Sequence, residues 1–406
     1  MFKPWVLLFF FTQFERKLRI FLWNGTKQQI YEFSSKEMLE GFLSNNSKLK
    51  GKLHLYLCMM TGTVMGNVAR IALETLSDYE LAYIQPTTVL WANFCACLVM
   101  GFFQAMKAEP GFLDEHGALF TAIGTGFCGA FSSFSTMMGS IFEHSTSLTE
   151  FEIKHHRKLP NRAYGIMEFL SVTLVHLCMS MSALLFGRKL GSEVVVKYYS
   201  VEYKETINGN GNDDSDDDKE IHTIIKRKPS QGFRSLLIAV DYTMTALAIP
   251  LAILLIVLAA YYNNYSRAKW TLPSLFGYYG VYLRYILGNY FNKVIPHFPL
   301  GTFIANIFAS LVDACLTLVT RGRKSHGSSL PVVNTAYKCR IVYGLTEGFC
   351  GSLSTISSFI NEGYNLPFFN MLIYFGTSIA VAYILFVITL GSYAWTRGLV
   401  DPLCPA

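Results

Sequence analysis

The sequence predicts an all-α integral membrane protein: two inverted four-helix repeats joined by a linker transmembrane helix, nine spans in total. Three observations predict it. The 406 residues are 51% hydrophobic and only 15% charged, with a mean hydropathy of +0.32. A soluble domain carries about 25% charged residues. Long stretches run without any charge, and one motif occurs twice, 222 residues apart. This composition excludes an ordinary cytosolic enzyme and a disordered protein. The net charge of +6 is scattered between apolar runs, with no basic stripe. That excludes nucleic acid as a partner and leaves the lipid bilayer.

The elements follow in order. Residues 1–51 form a polar N-terminal cytoplasmic arm. Its opening, Met1–Phe14, is apolar but too short to span. Glu15-Arg16-Lys17 follows where a signal peptide would place small residues, so it reads as an interfacial segment. A span needs roughly 20 apolar residues. The first repeat, 52–190, supplies Leu53–Leu76 (interrupted by Arg70 and Glu74), the uncharged Leu81–Met106 and Gly117–Phe142, and Met167–Gly187. Residues 191–234 form a flexible acidic cytoplasmic linker. Their Asp213-Asp214-Ser215-Asp216-Asp217-Asp218 run cannot bury enough apolar area to fold. Residues 235–263 are the linker transmembrane helix, overlapping the uncharged run Tyr242–Ser266. The second repeat, 264–396, supplies Thr271–Phe291 (with Arg284), Leu300–Thr320 (with Asp313), Ala336–Ile360 (with Lys338, Arg340 and Glu347) and the uncharged Gly363–Thr396. Residues 397–406 are a C-terminal tail. Glu143 and Glu347 are expected to face water at membrane ends.

Lys and Arg are richer in the segments on the side of the N-terminus, which places that terminus in the cytoplasm. Nine spans then place the C-terminus outside. The nine cysteines lie mostly in apolar runs and form no CxxC pair. Cys95 and Cys97, two apart, point to opposite sides of a helix. Neither a disulfide framework nor a metal-ligating cluster is expected from them.

The repeat is legible residue by residue. Ala92-Asn93 in the second span matches Ala305-Asn306 in the seventh. Gly126-Phe127-Cys128-Gly129-Ala130-Phe131-Ser132-Ser133-Phe134-Ser135-Thr136-Met137 matches Gly348-Phe349-Cys350-Gly351-Ser352-Leu353-Ser354-Thr355-Ile356-Ser357-Ser358-Phe359 without a gap. Arg70 and Arg284 occupy matching places. One odd helix between two four-helix units inverts the second, and such folds place permeation sites at the repeat interface. Two glycines followed by Ser and Thr on every side make a poor lipid-facing helix. Close packing through small residues explains a Gly pair. It does not explain a hydroxyl ring with an Asn nearby, which suits a polar cavity.

These residues resemble the fluoride channel family, called Fluc or CrcB in bacteria and FEX in eukaryotes. The resemblance covers roughly Leu53 to Thr396. Both halves match most of the family's third-helix pattern. Gly301-Thr302-Phe303-Ile304-Ala305-Asn306 matches its second-helix pattern, with Val89 standing in the first half where Thr302 stands in the second. The resemblance implies a fluoride-selective passive channel that exports cytoplasmic fluoride across the plasma membrane, working as a monomer with no obligatory protein partner and no catalysis. It implies pore positions at Phe134, Phe359, Asn93, Asn306, Thr302, Ser133, Ser135, Thr355, Ser357, Tyr374, Thr377 and Ser378. It further implies a structural Na+ at the centre of the repeat interface, held by backbone carbonyls of Gly129, Ser132, Gly351 and Ser354. The family's two phenylalanines per third helix are incomplete here. Pairing across the interface gives Phe134 with Phe359 for one pathway and Met137 with Ile356 for the other. One intact and one degenerate pore are expected. Arg70 and Arg284 are assigned to a vestibule or to the membrane interface.

The chemistry is consistent with that assignment. An Asn amide offers two N–H donors, hydroxyls offer rotatable ones, and a phenyl ring presents a positive edge. A proton-coupled small-molecule or anion transporter on inverted four-helix repeats would want a carboxylate at the midplane of a first helix. Glu74 lies only at the end of that span. A membrane enzyme would want clustered His and carboxylates, and His155-His156 beside Arg157 form no such cluster.

Overall fold

The computed structural model describes residues 35–79, 89–109, 112–146, 161, 163–205, 224–261, 265–324 and 330–404. The expected interfacial segment Met1–Phe14 and the acidic run Asp213–Asp218 lie outside the described residues. The chain divides into two units, Met1–Lys52 and Leu53–Ala406. The described part of the first is helical from Ser35. The second unit holds both repeat motifs.

Its elements are helices α1 (Ser35–Ser77, of which the part from Leu53 belongs here), α2 (Val89–Lys107), α3 (Phe112–Thr121), α4 (Gly129–Phe131), α5 (Phe134–Thr146), α6 (Tyr164–Tyr198), α7 (Gln231–Tyr261), α8 (Tyr265–Phe291), α9 (Leu300–Arg321), α10 (Ala336–Tyr343), α11 (Gly351–Leu353), α12 (Ile356–Tyr364), α13 (Phe368–Phe386) and α14 (Ser392–Arg397). Wider π-helical turns link α3 to α4 (Ala122–Cys128), α10 to α11 (Gly344–Cys350) and α13 to α14 (Val387–Gly391).

Among the described residues, six helical stretches are long and apolar enough to cross a membrane: Val89–Lys107, Glu115–Thr146, Tyr164–Tyr198, Gln231–Tyr261, Leu300–Arg321 and Phe368–Arg397. The protein is a multi-pass helical membrane protein. The other three expected spans are also helical, as α1, α8 and the α10–α12 stretch. They carry Arg70 and Glu74, a row of tyrosines, and Lys338, Arg340 and Glu347, which hold their hydropathy lower. α7 buries only Leu237, Ala248 and Leu255 and exposes Ile249, Ile253, Leu254, Ile256 and Val257. Such a face is stable only in an apolar solvent.

The core lies where α2, α5, α6, α9, α12 and α13 converge, with Phe134, Met137, Phe142, Phe359 and Phe386 fully buried or nearly so. α2 and α6 pack closely because glycines let backbones meet. A Cβ at Gly187 would overlap the Leu98 carbonyl, and one at Gly101 the Leu184 carbonyl.

Two expectations need correction. The stretch read as a flexible linker over 191–234 is ordered at both ends. α6 continues to Tyr198, and an antiparallel hairpin follows, β1 (Tyr199–Glu205) against β2 (Ile224–Pro229), in register from Tyr199↔Pro229 to Glu202↔Lys226 and shifted before Glu205↔Ile224. Val194-Val195-Val196 and Tyr198-Tyr199 favour regular structure, and Tyr198 stacks on Phe233 with centroids 5.4 Å apart. The acid run had dominated the composition of the stretch. The chain is therefore not purely helical. Secondly, Cys339 and Cys404 form a disulfide, their Cα atoms 5.5 Å apart. The tail reaches back because Gly398 turns at φ 72° and the Val400 N–H donates to the Arg321 carbonyl at 2.9 Å.

Candidate functional site

Each repeat motif breaks a helix. The first motif runs helical to Phe131, is extended at Ser132 (φ −98°, ψ 150°), and resumes helix at Phe134. The second runs to Leu353, is extended at Ser354 (φ −80°, ψ 156°) and Thr355 (φ −155°, ψ 133°), and resumes at Ile356. Ser and Thr side chains offer nearby backbone an alternative to the helical ladder, so runs of them are where a helix gives way. A break in an apolar interior leaves N–H and C=O groups that need partners.

The N–H groups are met across the repeats. Phe134 N and Ser135 N donate to Ser354 Oγ at 3.2 and 3.1 Å. Ile356 N and Ser357 N donate to Ser132 Oγ at 3.2 and 3.1 Å. The resumed helix of each half is thus capped by the serine of the other. The asparagines complete the set within each half. Ser133 N donates to Asn93 Oδ1 at 2.9 Å, and Thr355 N to Asn306 Oδ1 at 2.8 Å. The Asn amide nitrogens turn to the Ser133 and Thr355 carbonyls at 3.4 and 3.3 Å. The hydroxyls form two clusters, one around each crossed serine. Ser354 Oγ lies 3.2 Å from Ser133 Oγ and 3.2 Å from Ser135 Oγ. Ser132 Oγ lies 3.2 Å from Thr355 Oγ1, and Ser357 Oγ donates to the Cys128 carbonyl at 3.1 Å. All these side chains are fully buried.

The C=O groups are met by two arginines. Arg284 Nη1 donates to the Gly129 and Ser354 carbonyls at 3.0 and 3.2 Å, and Nη2 to the Thr125 carbonyl at 2.6 Å. Arg70 Nη2 donates to the Glu347 carbonyl and, at 3.0 Å, to Asn67 Oδ1. Glycine is required beside each guanidinium: a Cβ at Gly129 would overlap that of Arg284, and one at Gly351 that of Arg70. The vestibule or interface assigned to these arginines is therefore corrected. Both are buried between helices, because unmet carbonyls draw them inward. Glu347, expected in water, is half-buried on the π turn with Oε2 3.9 Å from Arg70 Nη2. Glu74 Oε1 lies 3.9 Å from Arg70 Nε.

Of the aromatic positions, Phe134 and Phe359 meet edge to face, centroids 5.2 Å apart, and both are fully buried. Met137 and Ile356 are buried in the same core. Phe359 also packs on Tyr374 and Phe375, at 4.9 and 4.6 Å. One turn beyond Phe359, Glu362 gathers three donors: Thr302 Oγ1 at 2.8 Å, Asn292 Nδ2 at 3.0 Å and the Tyr374 hydroxyl at 3.0 Å. Thr302 and Tyr374, two of the expected pore positions, are thus brought together on one carboxylate. Ser378 is buried and donates to the Tyr374 carbonyl. Thr377, another expected pore position, is exposed and donates to Ile373 O of its own helix, while its neighbours Tyr374 and Ser378 take the inward face. Glu362, Asn292 and Asn67 were not expected. The spacing of Glu362, three residues from Phe359, was the signal that could have found it.

The carbonyls assigned to sodium are in part engaged by a cation already. Two of them, those of Gly129 and Ser354, already accept from one Arg284 nitrogen, and a second cation there would face a like charge.

The family described as CrcB-like protein, Camphor Resistance (CrcB) matches this chain twice, over residues 57–187 and 271–391. The chain is 49% identical over 369 residues to fluoride export protein 1 of Saccharomyces cerevisiae, covering 89% of this chain and 98% of that protein. It is 30% identical over 377 residues to fluoride export protein 1 of Candida albicans, covering 91% and 86%. Over 104 residues it is 32% identical to the fluoride-specific ion channel FluC of Chlorobium luteolum, 26% of this chain and 72% of that one. No solved structure matches. With the family pattern falling once on each broken helix and its neighbours, the chain belongs to the CrcB-like family as a two-repeat member of the fluoride export protein type.

Proposed function

We propose that this protein is a passive, fluoride-selective channel that exports fluoride across the plasma membrane through one intact pathway lined by Phe134 and Phe359. The observation that carries it is the meeting of these two aromatic rings, one from each half, at helices that start from the two clusters of buried hydroxyls. A phenyl edge is positive and costs an anion little to leave. The helices α5 and α12 begin at the breaks, so their positive ends also point there.

The second pathway is degenerate. It has Met137 and Ile356 in place of rings. The donor cluster around Glu362 supports this asymmetry, since the first half has Val89 in place of Thr302 and, at the 222-residue spacing, Ser140 in place of Glu362. The two halves form inverted four-helix repeats within nine spans. The disulfide supports an extracellular C-terminus, because such bonds persist on the oxidising side of a membrane. The membrane potential drives the anion outward, worth about 2.3 kcal/mol per charge per 100 mV, so neither nucleotide nor a proton gradient is needed.

The test is fluoride efflux from liposomes holding the purified protein, read with a fluoride electrode. Wild type should release fluoride with only a potassium shunt. Phe134→Ile or Phe359→Ile should abolish efflux with normal folding, and Met137→Ala should do little. If Met137→Ala cost as much efflux as Phe134→Ile, the one-pathway assignment would fall. Efflux that requires a proton gradient would return the proton-coupled transporter to first place.

A further inference from the structure

We propose that the positive charge at the junction of the two broken helices is built into the chain, as the Arg284 guanidinium, and that permeation and folding are therefore independent of sodium. This rests on the channel reading only for its transport arm.

The geometry carries the inference. Arg284 Nη1 bridges the Gly129 carbonyl of one half and the Ser354 carbonyl of the other, and Nη2 takes the Thr125 carbonyl. One guanidinium thus closes the junction that a carbonyl-bound metal ion would otherwise close. It is held there by shape as well: Gly129 leaves room for it, and the side chain is 4% exposed.

The two arginines are not equivalent. Arg70 has carboxylates on two sides, Glu74 and Glu347, each at 3.9 Å. It also spends a donor on Asn67 of its own helix, and joins the other half through one carbonyl, that of Glu347, whereas Arg284 takes three across the two halves. Arg284 forms no salt bridge among the described residues and is answered by backbone carbonyls. Its charge lies at the junction without a bonded carboxylate, the buried Glu362 acting on it only at longer range, on the repeat that supplies Phe359, Thr302 and Tyr374. A permeating anion feels that charge, while the carbonyls occupy the N–H groups that would bind it tightly. Arg284 is therefore a positioning residue, acting through the breaks and through its field.

The experiment uses the full-length protein in two readouts. The first is thermal unfolding in detergent with sodium chloride against equal potassium chloride. The second is fluoride efflux from liposomes in sodium-free potassium media against sodium media. For wild type, Tm should be the same in both salts and efflux should agree within about twofold. A Tm raised by sodium, or efflux lost without it, overturns the proposal.

Arg284→Met frees the carbonyls of Gly129, Ser354 and Thr125, the first two of them in the set assigned to sodium. This variant should lose efflux by about tenfold or more in sodium-free media, with sodium now raising its Tm. Wild-type efflux from Arg284→Met without sodium overturns the proposal. Arg284→Lys keeps the charge and should stay insensitive to sodium in both readouts; sodium dependence in this variant also overturns it. If Arg284→Met fails to fold, wild type and Arg284→Lys decide the matter. If wild type passes no fluoride at all, the channel reading fails, while the melting comparison still decides the role of Arg284.

Discussion

A buried serine beside a helix break can serve a passing ion or serve the backbone. Here Ser132 and Ser354 serve the backbone first, each receiving two N–H groups of the opposite half. Their removal is therefore a stability experiment. Ser354→Ala leaves two buried donors without an acceptor and should cost about 1–2 kcal/mol, read as a lower Tm in detergent. Thr377→Ala should leave Tm almost unchanged, because Thr377 is exposed and bonds only its own helix. Equal shifts for the two variants would remove the capping argument. The identity of these residues was legible, since a Ser/Thr run at mid-span disrupts a helix by known chemistry. Their partners were not legible. Nothing local distinguishes a hydroxyl that lines a path from one that caps a helix 220 residues away. The burial of Arg70 and Arg284 was hidden for a related reason, because only the broken helices create the carbonyls that hold them.

At the scale of elements, the span order and both interrupted helices were readable from uncharged runs and the doubled motif. The hairpin and the tail were not. β1 and β2 pair across residues of strongly polar composition, and Cys339 and Cys404 are separated by 65 residues with no spacing rule to join them. The tail is fastened twice, by that bond and by Val400 to Arg321. Cys404→Ser should release it. Loop-closure entropy for a loop of this length sets an upper bound of about 4 kcal/mol on the loss. The check is a melting curve, alongside maleimide labelling of intact cells. An impermeant maleimide should modify Cys339 and Cys404 of wild type only after external reduction. Labelling without reduction would mean that the thiols are free.

For the molecule as a whole, symmetry and asymmetry fall on different residues. The parts that build the breaks occur in both halves: Asn93 with Asn306, Ser132 with Ser354, Gly129 with Gly351. The parts expected to handle fluoride do not, as Met137 against Phe359 and Val89 against Thr302 show. The doubled motif made the first set readable. The second became readable only as departures from it. The acidic run belongs to neither set, so deleting Asp213–Asp218 should leave liposome efflux at the wild-type rate; a loss would assign the run a regulatory part.

The crossed caps also impose an order in time. The helix that starts at Phe134 is synthesised long before Ser354, and its first N–H groups have no native acceptor until that serine arrives. A ribosome inserting this chain therefore delivers a first half that waits, incomplete, for the second. Whatever receives it in the membrane must shelter an open break through the making of some two hundred further residues.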